Sequence, residues 1–215
     1  MTPKINYQLE LDKTLQGITQ AGLRPRLLLH ACCAPCSSYV LEYLHEYFDI
    51  TVFYYNPNIS PEAEYRKRVF EITRLIRQMC PDVAFMEGKY EPQRFYEMAR
   101  GLENEPERGE RCLKCYRLRL SESANAAKTV NADYFTTTLS ISPQKDSQVL
   151  NSIGREVSEQ YGVPYLFSDF KKRGGTKRSI ELSQKFSLYR QDYCGCVFSK
   201  KEREAAKKAA SENNR

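Results

Sequence analysis

Short apolar runs alternate along the chain with segments whose hydrophobic residues recur every three to four positions. The first such segment carries Leu9, Leu11, Leu15 and Ile18 and predicts an N-terminal helix. The apolar runs predict strands at 26–30, 50–55, 83–86, 134–139 and 165–167. Helical spacing between the runs predicts helices at 40–48, 61–80, 92–101, 112–128 and 143–161, with Ser60 as a cap before Pro61.

The order of strand, helix, strand and helix is typical of an α/β fold, in which helices cover both faces of a parallel sheet. Ligands bind such sheets at the carboxyl ends of the strands. Residues 32–33, 56–61 and 136–142 follow predicted strands, so we expect them at that edge. The chain shows no repeat and no linker. Residues 1–215 are therefore interpreted as a single α/β domain, with a charged C-terminal helix or tail at about 199–215.

The composition is that of a globular protein, with 41% hydrophobic residues. No segment has the ~18–20 consecutive apolar residues of a membrane span, and the N-terminus lacks a secretory signal, so we expect a cytoplasmic protein with no membrane partner. The net charge is +6, and part of the excess lies at 171–178 and from Lys200 onward. A solvated surface and a phosphate-contacting surface both explain these basic runs, and charge alone leaves both open.

Seven of the eight cysteines fall into three groups, at 32–36, 112–115 and 194–196. In a reducing compartment, grouped cysteines bind metal or perform redox chemistry more often than they form disulfides. Each group has a spacing that brings two sulfurs toward one point, by one helical turn or by a glycine between them. The adjacent Cys32 and Cys33 are expected to splay toward two neighbouring centres.

Seven thiolates exceed the four ligands of one metal site, so their convergence requires two centres, or one centre with redox-active thiols beside it. Thiolates without paired histidines suit an iron–sulfur cluster as well as structural zinc, and dithiol chemistry is a third interpretation. His30 and His45 are expected in packing or surface roles, and the isolated Cys80 is expected in the core. No glycine-rich nucleotide loop follows the first predicted strand.

Longer motifs surround the cysteine groups. They are His-Ala-Cys-Cys-Ala-Pro-Cys at 30–36, Tyr-Asn-Pro-Asn-Ile at 55–59 with Glu64-Tyr65 and Arg68, Arg-Cys-Leu-Lys-Cys-Tyr-Arg-Leu-Arg-Leu at 111–120, Phe-Thr-Thr-Thr-Leu-Ser-Ile-Ser-Pro-Gln-Lys at 135–145, and Tyr-Arg-Gln-Asp-Tyr-Cys-Gly-Cys at 189–196. Together they resemble the QueH type of epoxyqueuosine reductase over nearly the whole chain. The resemblance implies reduction of epoxyqueuosine to queuosine at the wobble position of transfer RNA, the last step of queuosine biosynthesis. It also implies a Rossmann-like fold related to nucleotide alpha-hydrolase (HUP-like) folds.

For cofactors, the resemblance implies a [4Fe-4S] cluster beside a mononuclear iron, which agrees with a number of thiolates too large for one cluster. Some relatives carry aspartate where this chain has Cys36, which makes Cys36 a candidate ligand of the second iron. The sequence does not divide the ligands between cluster and lone iron. The cysteines that match the family's ligands are Cys32, Cys33, Cys112, Cys115, Cys194 and Cys196.

Conversion of an epoxide to an alkene requires two electrons, protons and loss of the oxygen as water, so a metal centre and an electron donor, unidentified by the sequence, are expected. Asp192 and Tyr193 are candidate proton donors, and positioning of the Cys194 loop is the alternative role for both. The expected partner is a transfer RNA with a queuosine-type wobble base. Candidate phosphate contacts are Arg66, Arg117, Lys171, Lys172, Arg173, Lys177 and Arg178.

Other functions fit parts of the pattern. An ATP-dependent thiolation-type enzyme acting on transfer RNA would use a similar scaffold and an iron–sulfur cluster, but the missing Ser-Gly-Gly loop opposes it. A non-enzymatic RNA-binding module would hold zinc in place of iron. A thioredoxin-like enzyme is disfavoured, because the first CxxC opens a helix without the strand pattern of that fold.

Overall fold

The structure of the protein, a computed structural model, describes residues 4–212. The strands are β1 (Arg26–His30), β2 (Asp49–Tyr54), β3 (Ala84–Glu87) and β4 (Tyr134–Thr137), and a 3-10 helix, Thr138–Ile141, follows β4. The helices are α1 (Tyr7–Gln20), α2 (Ala34–Leu44), α3 (Glu62–Met79), α4 (Pro92–Ala99), α5 (Glu110–Thr129), α6 (Ser147–Tyr161), α7 (Gly175–Lys185) and α8 (Val197–Glu212). The alternation of strands and helices confirms the predicted α/β class.

The four strands form one parallel sheet in the order β3-β2-β1-β4. In β1, Leu28 pairs with Thr51 on one side and with Phe135 on the other. An interior strand with partners on both sides and helices above and below is buried over its whole width, which explains the apolar run in β1. All strands end at the same edge of the sheet, because all run in the same direction.

Alternate residues of the interior strands pack on opposite faces of the sheet. Leu27 and Leu29 of β1 belong to one hydrophobic cluster, which includes apolar side chains of α1, α2 and α3. Leu28 belongs to a second cluster, together with Phe53 of β2 and apolar side chains of α5 and α6. Successive side chains of a strand point to opposite faces, so helices cover both faces of the sheet. Burial of each such leucine contributes about 1.5–3 kcal/mol to folding.

The helix α3 does not have the N-cap residue that the sequence predicted. The prediction that Ser60 caps it is wrong, because Pro61 takes the N-cap position and no side chain caps the helix. Glu62 and Glu64 stand in the first turn, where carboxylates interact favourably with the helix dipole. Cys80 ends the helix and is buried, as predicted.

Residues 165–167 do not form the predicted strand. Tyr165 makes a single parallel bridge to Phe135 of β4. The Phe135 N–H donates to the Pro164 carbonyl at 3.0 Å, and the Leu166 N–H donates to the Phe135 carbonyl at 2.9 Å. Pro164 has no N–H of its own, so a longer ladder lacks a donor at this position.

The helix α7 begins within the basic segment 171–178, where the sequence predicted no helix. Its buried face carries Ser179 and Ser183 beside Leu182, so the hydrophobic spacing that predicts a helix is nearly absent. The Ser179 hydroxyl donates to the Pro35 carbonyl at 2.9 Å, at the start of α2. Small serine side chains let α7 pack closely against α2.

The C-terminal segment forms α8, whose residues are mostly exposed. The helix agrees with the predicted charged segment as far as Glu212, and residues 213–215 lie outside the described residues. No helix within residues 4–212 combines the length and the apolar sequence needed to cross a bilayer. The interpretation of residues 1–215 as one domain stays a prediction.

Replacing Gly154 with alanine is expected to destabilise the protein. Gly154 lies within α6, and a Cβ atom there would come within 2.4 Å of the Tyr165 ring. We expect a loss of about 1–3 kcal/mol in the free energy of unfolding, despite the higher helix propensity of alanine. Gly17→Ala in α1 is the control, because no atom lies within 4 Å of its Cβ position. Chemical denaturation that shows equal losses for both variants would contradict the packing argument.

Candidate functional site

A cavity of about 450 Å³ opens at the edge of the sheet where β1 and β4 end. Its walls come from segments that are distant in sequence, chiefly the turn 32–36 between β1 and α2, the loop 141–145 before α6, and the segment 190–194. The carboxyl edge of a parallel sheet leaves such a gap, because successive connections turn away to opposite faces. The predicted binding edge therefore carries a cavity lined by thiols and cations.

The turn between β1 and α2 gathers three thiols. The chain bends at Cys32, and Cys33 takes the N-cap position of α2. The sulfurs of Cys32, Cys33 and Cys36 lie within 4.8 Å of one another, and those of Cys32 and Cys33 are 3.7 Å apart. The expectation that Cys32 and Cys33 splay is wrong, because the chain bends at Cys32 and brings the two sulfurs together, although the backbone of Cys33 is extended.

These three thiols interact strongly with one another. Hydrogen bonds from Cys33 and Cys36 lower the pKa of Cys32 well below the usual thiol value. The hydrogen bond with Cys32 raises the pKa of Cys33 to about 12, and the same neighbour raises the pKa of Cys36. Cys32 is therefore the first of the three to become a thiolate, the form that binds metal.

The other four grouped cysteines come from two segments. Cys112 and Cys115 lie near the start of α5, and Cys194 and Cys196 lie just before α8. Cys115 and Cys196 are buried with Phe95 and Ala99 of α4. Burial raises the pKa of Cys115 to about 12 and the pKa of Cys196 to about 11. The thiols of the neighbouring pair contribute to both increases, so the second and third cysteine groups meet in the fold.

Backbone N–H groups point at two of these sulfurs. The Arg108 N–H donates to Cys112 Sγ at 3.3 Å, and the Ser199 N–H donates to Cys196 Sγ at 3.3 Å. Hydrogen bonds of this kind support the sulfur ligands of metal centres. Within the described part of the chain, only the residues at 32, 33 and 36 form a group of three or more metal-binding side chains with all ligand atoms within 4.8 Å. The sulfurs of the second and third groups are more widely spaced.

A buried arginine fixes the loop that carries the third cysteine group. Arg68 of α3 is 2% exposed, its Nη1 donates to the Cys194 carbonyl at 3.2 Å, and its Nε donates to Glu64 Oε1 at 2.7 Å. Gly195 has a φ of +119°, and a Cβ atom there would lie 3.0 Å from the Arg68 guanidinium. Both the backbone conformation and the close approach require glycine.

A second buried arginine was not among the predicted site residues. Arg119 of α5 is 1% exposed and donates to Asn56 Oδ1, and the Asn56 amide donates to the Ala31 carbonyl at 2.9 Å. Arg119 lines the cavity, as Arg68 does. One nitrogen of each, Arg119 Nε and Arg68 Nη2, has no hydrogen-bond partner among the described residues. Arg119 belongs to the motif at 111–120, but its spacing is that of any helical arginine, so only the fold reveals its position.

Lys145 also lines the cavity and was not predicted as a site residue. Burial acts to lower its pKa, but the thiols of Cys194 and Cys32 and the hydroxyl of Tyr116 raise the pKa above the usual lysine value. The signal in the sequence was its place a few residues after a predicted strand, in the motif at 135–145.

The two candidate proton donors have different surroundings. Asp192 is exposed, and hydrogen bonds from Lys207 at 2.6 Å and Arg203 at 3.2 Å lower its pKa. Tyr193 is half-buried beside Arg68, whose guanidinium lies 5.4 Å from the ring centre, and burial raises the pKa of Tyr193. The geometry favours Tyr193, because Asp192 has already lost its proton at neutral pH. A catalytic role for either residue stays a prediction.

Most of the basic residues predicted to contact phosphate are paired with carboxylates. Arg178 binds Glu42 at 2.7 Å, and Lys171 binds Asp169 at 2.9 Å. Lys172 and Lys177 are exposed and make no ion pair within residues 4–212. The other paired residues are Arg66 with Glu62 and Glu87, Arg117 with Glu156, and Arg173 with Asp12.

Both histidines are engaged away from the thiols. His30 is buried at the end of β1, with Nδ1 2.8 Å from Thr137 Oγ1 and Nε2 3.1 Å from the Tyr55 carbonyl. Burial lowers the pKa of His30 to about 3. His45 contacts Asp82 at 2.8 Å near the surface. The predicted packing and surface roles are confirmed, and neither His30 nor His45 lines the cavity.

The fold and the cavity define an α/β protein with a thiol-lined site at the carboxyl edge of a parallel sheet. Residues 27–202 match the sequence profile of the family described as epoxyqueuosine reductase QueH. The chain belongs to the QueH family of epoxyqueuosine reductases, which confirms the resemblance.

Relatives in several bacteria cover most of the chain. The epoxyqueuosine reductase QueH of Streptococcus pyogenes serotype M1 is 42% identical over 202 residues, which are 92% of this chain and 79% of that protein. The protein of that name in Staphylococcus epidermidis is 43% identical over 202 residues, 91% of this chain and 85% of its own. The one in Thermotoga maritima is 34% identical over 180 residues, 82% of this chain and 91% of its own.

The likeness to solved structures is weaker. A deacetylase complex from the teicoplanin biosynthesis pathway has a TM-score of 0.32 and 9% identity, over 65% of each chain. A TM-score this low carries no argument, so the relation to nucleotide alpha-hydrolase folds stays a prediction.

Arg68→Met is expected to cost about 3–5 kcal/mol of unfolding free energy, because it leaves the mostly buried Glu64 without its ion-pair partner and removes the donor to the Cys194 carbonyl. Arg66→Met is the matched control, since it removes the same charge from an exposed ion pair on the same helix. We expect a loss below about 1 kcal/mol for the control. Chemical denaturation measures both, and similar losses would contradict the assigned role of Arg68.

Proposed function

We propose that this protein is an epoxyqueuosine reductase, an oxidoreductase that converts the epoxide of epoxyqueuosine at the wobble position of transfer RNA into the alkene of queuosine. This reaction is the last step of queuosine biosynthesis. The observation that carries the proposal is that one cavity unites the family's cysteine motifs. The matched span, residues 27–202, contains all three cysteine groups, and they lie in or behind the wall of that cavity.

The donor set fits an iron–sulfur cluster with a mononuclear iron beside it. The thiols of Cys32, Cys33, Cys36 and Cys194 line the cavity, and those of Cys112, Cys115 and Cys196 lie near Cys194. Hydrogen bonds engage the imidazole nitrogens of His30, and Nε2 of His45 contacts Asp82. Sulfur-only donors are those that iron–sulfur clusters use, although zinc accepts them also. The proposed ligands are Cys32, Cys33, Cys112, Cys115, Cys194 and Cys196, with Cys36 added for the second iron.

The spacing of the sulfurs supports a division between the two centres. Ligands about 2.3 Å from one ion in a tetrahedral arrangement lie roughly 3.8 Å apart. The 3.7 Å between Cys32 Sγ and Cys33 Sγ matches a single ion, with Cys36 as its third sulfur. A cluster of four irons is larger and requires more widely spaced ligands, which favours the second and third cysteine groups as its holders.

The chain's own residues prepare the cavity for the reaction. Metal centres held by these cysteines would supply the electrons, one at a time. Arg68 and Gly195 hold the loop of the third cysteine group, and the walls of the cavity reduce the access of water. Tyr193 stands at the wall as the favoured proton donor, while Asp192 ties this segment to α8 through Arg203.

The proposed partner is a transfer RNA whose wobble nucleotide is splayed into the cavity, as in other sequence-specific RNA recognition. Lys172 and Lys177 are expected to contact its phosphates, because both are exposed and no carboxylate among residues 4–212 pairs with them. The reaction also requires an external electron donor of low potential. A cytoplasmic location is part of the proposal, since a reducing compartment keeps the thiols available to metal.

Anaerobically purified protein is expected to contain iron and labile sulfide and to convert epoxyqueuosine in transfer RNA to queuosine, as measured by nucleoside mass analysis. Cys115→Ala is expected to abolish turnover and the visible absorption of the cluster, because a buried ligand is lost. Cys80→Ala is the matched control, since Cys80 is a buried thiol at the end of α3, and it should retain both properties. Zinc in place of iron, or full activity of Cys115→Ala, would refute the scheme.

Neutralising Lys177 is expected to weaken the salt dependence of transfer RNA binding. One lost phosphate contact lowers the slope of log affinity against log salt by about 0.7–0.9. Arg178→Met should lower it less, because Glu42 and Glu181 already bind this guanidinium. Fluorescence anisotropy of a labelled anticodon stem-loop measures both slopes. A wild-type affinity that does not change with salt concentration would show that this surface does not bind the transfer RNA backbone.

A further inference from the structure

We propose that Lys145 is a catalytic residue whose ammonium donates a hydrogen bond to the epoxide oxygen and stabilises the negative charge that develops there as a C–O bond breaks. The inference rests on the proposed reductase function and adds to it a residue outside the predicted proton donors.

The loop between the 3-10 helix and α6 fixes the backbone of Lys145. The Lys145 N–H donates to the Ser142 carbonyl at 3.1 Å, and the Lys145 carbonyl accepts a hydrogen bond from Lys171 Nζ at 3.2 Å. The next residue, Asp146, caps α6 by accepting the Gln148 N–H at 2.8 Å. With its backbone held on both sides, Lys145 has a defined position at the cavity wall, as a group that meets developing charge requires.

The side chain of Lys145 is half-buried and lines the cavity together with Cys32, Cys36 and Cys194. Within residues 4–212, its ammonium makes no ion pair and no hydrogen bond to another side chain or to a carbonyl. An ammonium group has three donor hydrogens, and none of those of Lys145 is used by another described residue. A substrate oxygen in the cavity would satisfy them.

The other cations at the cavity already have partners. Hydrogen bonds or ion pairs hold each of them in place, so their freedom to follow a reacting oxygen is limited. These pairs are Arg68 with Glu64, Arg119 with Asn56, Arg190 with Ser183, and Arg203 with Asp192. Lys145 differs from all four in having its charged end uncommitted among the described residues.

The chemistry of the reaction creates a need for such a group. Removal of the epoxide oxygen breaks two C–O bonds, completes one C=C bond, consumes two electrons and two protons, and releases water. The electrons come from the low-potential donor through the proposed metal centres. When the first C–O bond opens, the oxygen becomes an alkoxide. An ammonium whose backbone is held at the wall of the cavity stabilises this anion more than bulk solvent would.

The test compares Lys145→Met and Lys145→Arg with wild type, using epoxyqueuosine-containing transfer RNA, and measures kcat, KM, and iron and sulfide content. Lys145→Met is expected to lower kcat by about 100-fold or more while KM changes by less than about threefold, since the interaction forms in the transition state. Lys145→Arg keeps the charge and should recover about tenfold of the lost kcat. Lys128→Met, at the exposed far end of α5, should leave kcat unchanged.

The outcomes separate the two proposals. If Lys145→Met keeps kcat within about threefold of wild type, the role of Lys145 is overturned and the reductase function stands. Loss of iron and sulfide from Lys145→Met also overturns it, because Lys145 would then be a counter-ion of the thiols. A wild-type protein that holds iron and sulfide but leaves epoxyqueuosine unchanged overturns the function and the role of Lys145 together.

Discussion

The arrangement of the cavity depends on one buried ion pair on α3. Arg68 is bound by Glu64 one helical turn away, and it reaches across the fold to the carbonyl of Cys194. A guanidinium buried to this extent is stable only if its partners are in place, since an unpaired buried charge costs several kcal/mol. The loop of the third cysteine group is therefore tied to α3, although 126 residues separate them in sequence. The sulfurs of that loop take their positions from protein contacts, so a metal centre would bind a site that is already largely formed.

The distribution of unpaired positive charge in the fold differs from the distribution of basic residues along the sequence. The basic run at 171–178 is the most positive stretch of the sequence, yet Arg178 and Lys171 are paired with carboxylates in the fold. Among the described residues, positive charge without carboxylate partners is found at Lys172 and Lys177 of this run and also at the cavity, where Arg119 and Lys145 face thiols. These cations offset the thiolates and leave the cavity able to accept the anionic backbone and the developing charge of a substrate. A run of basic residues in the sequence thus shows where the lysines and arginines are, but it does not show which of them are neutralised by carboxylates in the fold.

The sequence predicted the parts of the fold that apolar periodicity controls, and it missed the parts that polar packing controls. The strands β1 and β2 carry apolar runs, because both of their faces are buried, and their predicted bounds agree with the structure within one residue. The helix α7 was missed because Ser179 and Ser183 form its buried face. The motifs located the cysteines, but the 3.7 Å contact of Cys32 with its neighbour depends on a bend that composition does not encode. The only signals for Lys145 were its place after a strand and in the motif at 135–145, since its proposed role depends on which segments the fold brings opposite it.

The kind of ligand atom at position 36 matters because the sulfurs of Cys32, Cys33 and Cys36 lie close together. Cys36 completes a triad in which every donor is a thiol, whereas an aspartate would contribute a hard oxygen ligand. In the proposed metal site, a third thiolate would carry the same formal charge as a carboxylate but would be a softer donor. Cations stand around the triad on several sides of the cavity, with Arg68 on α3, Arg119 on α5 and Lys145 on the loop before α6. A thiol at position 36 and a dense set of cations around it are therefore parts of one electrostatic arrangement, and a change in either one alters what the other must balance.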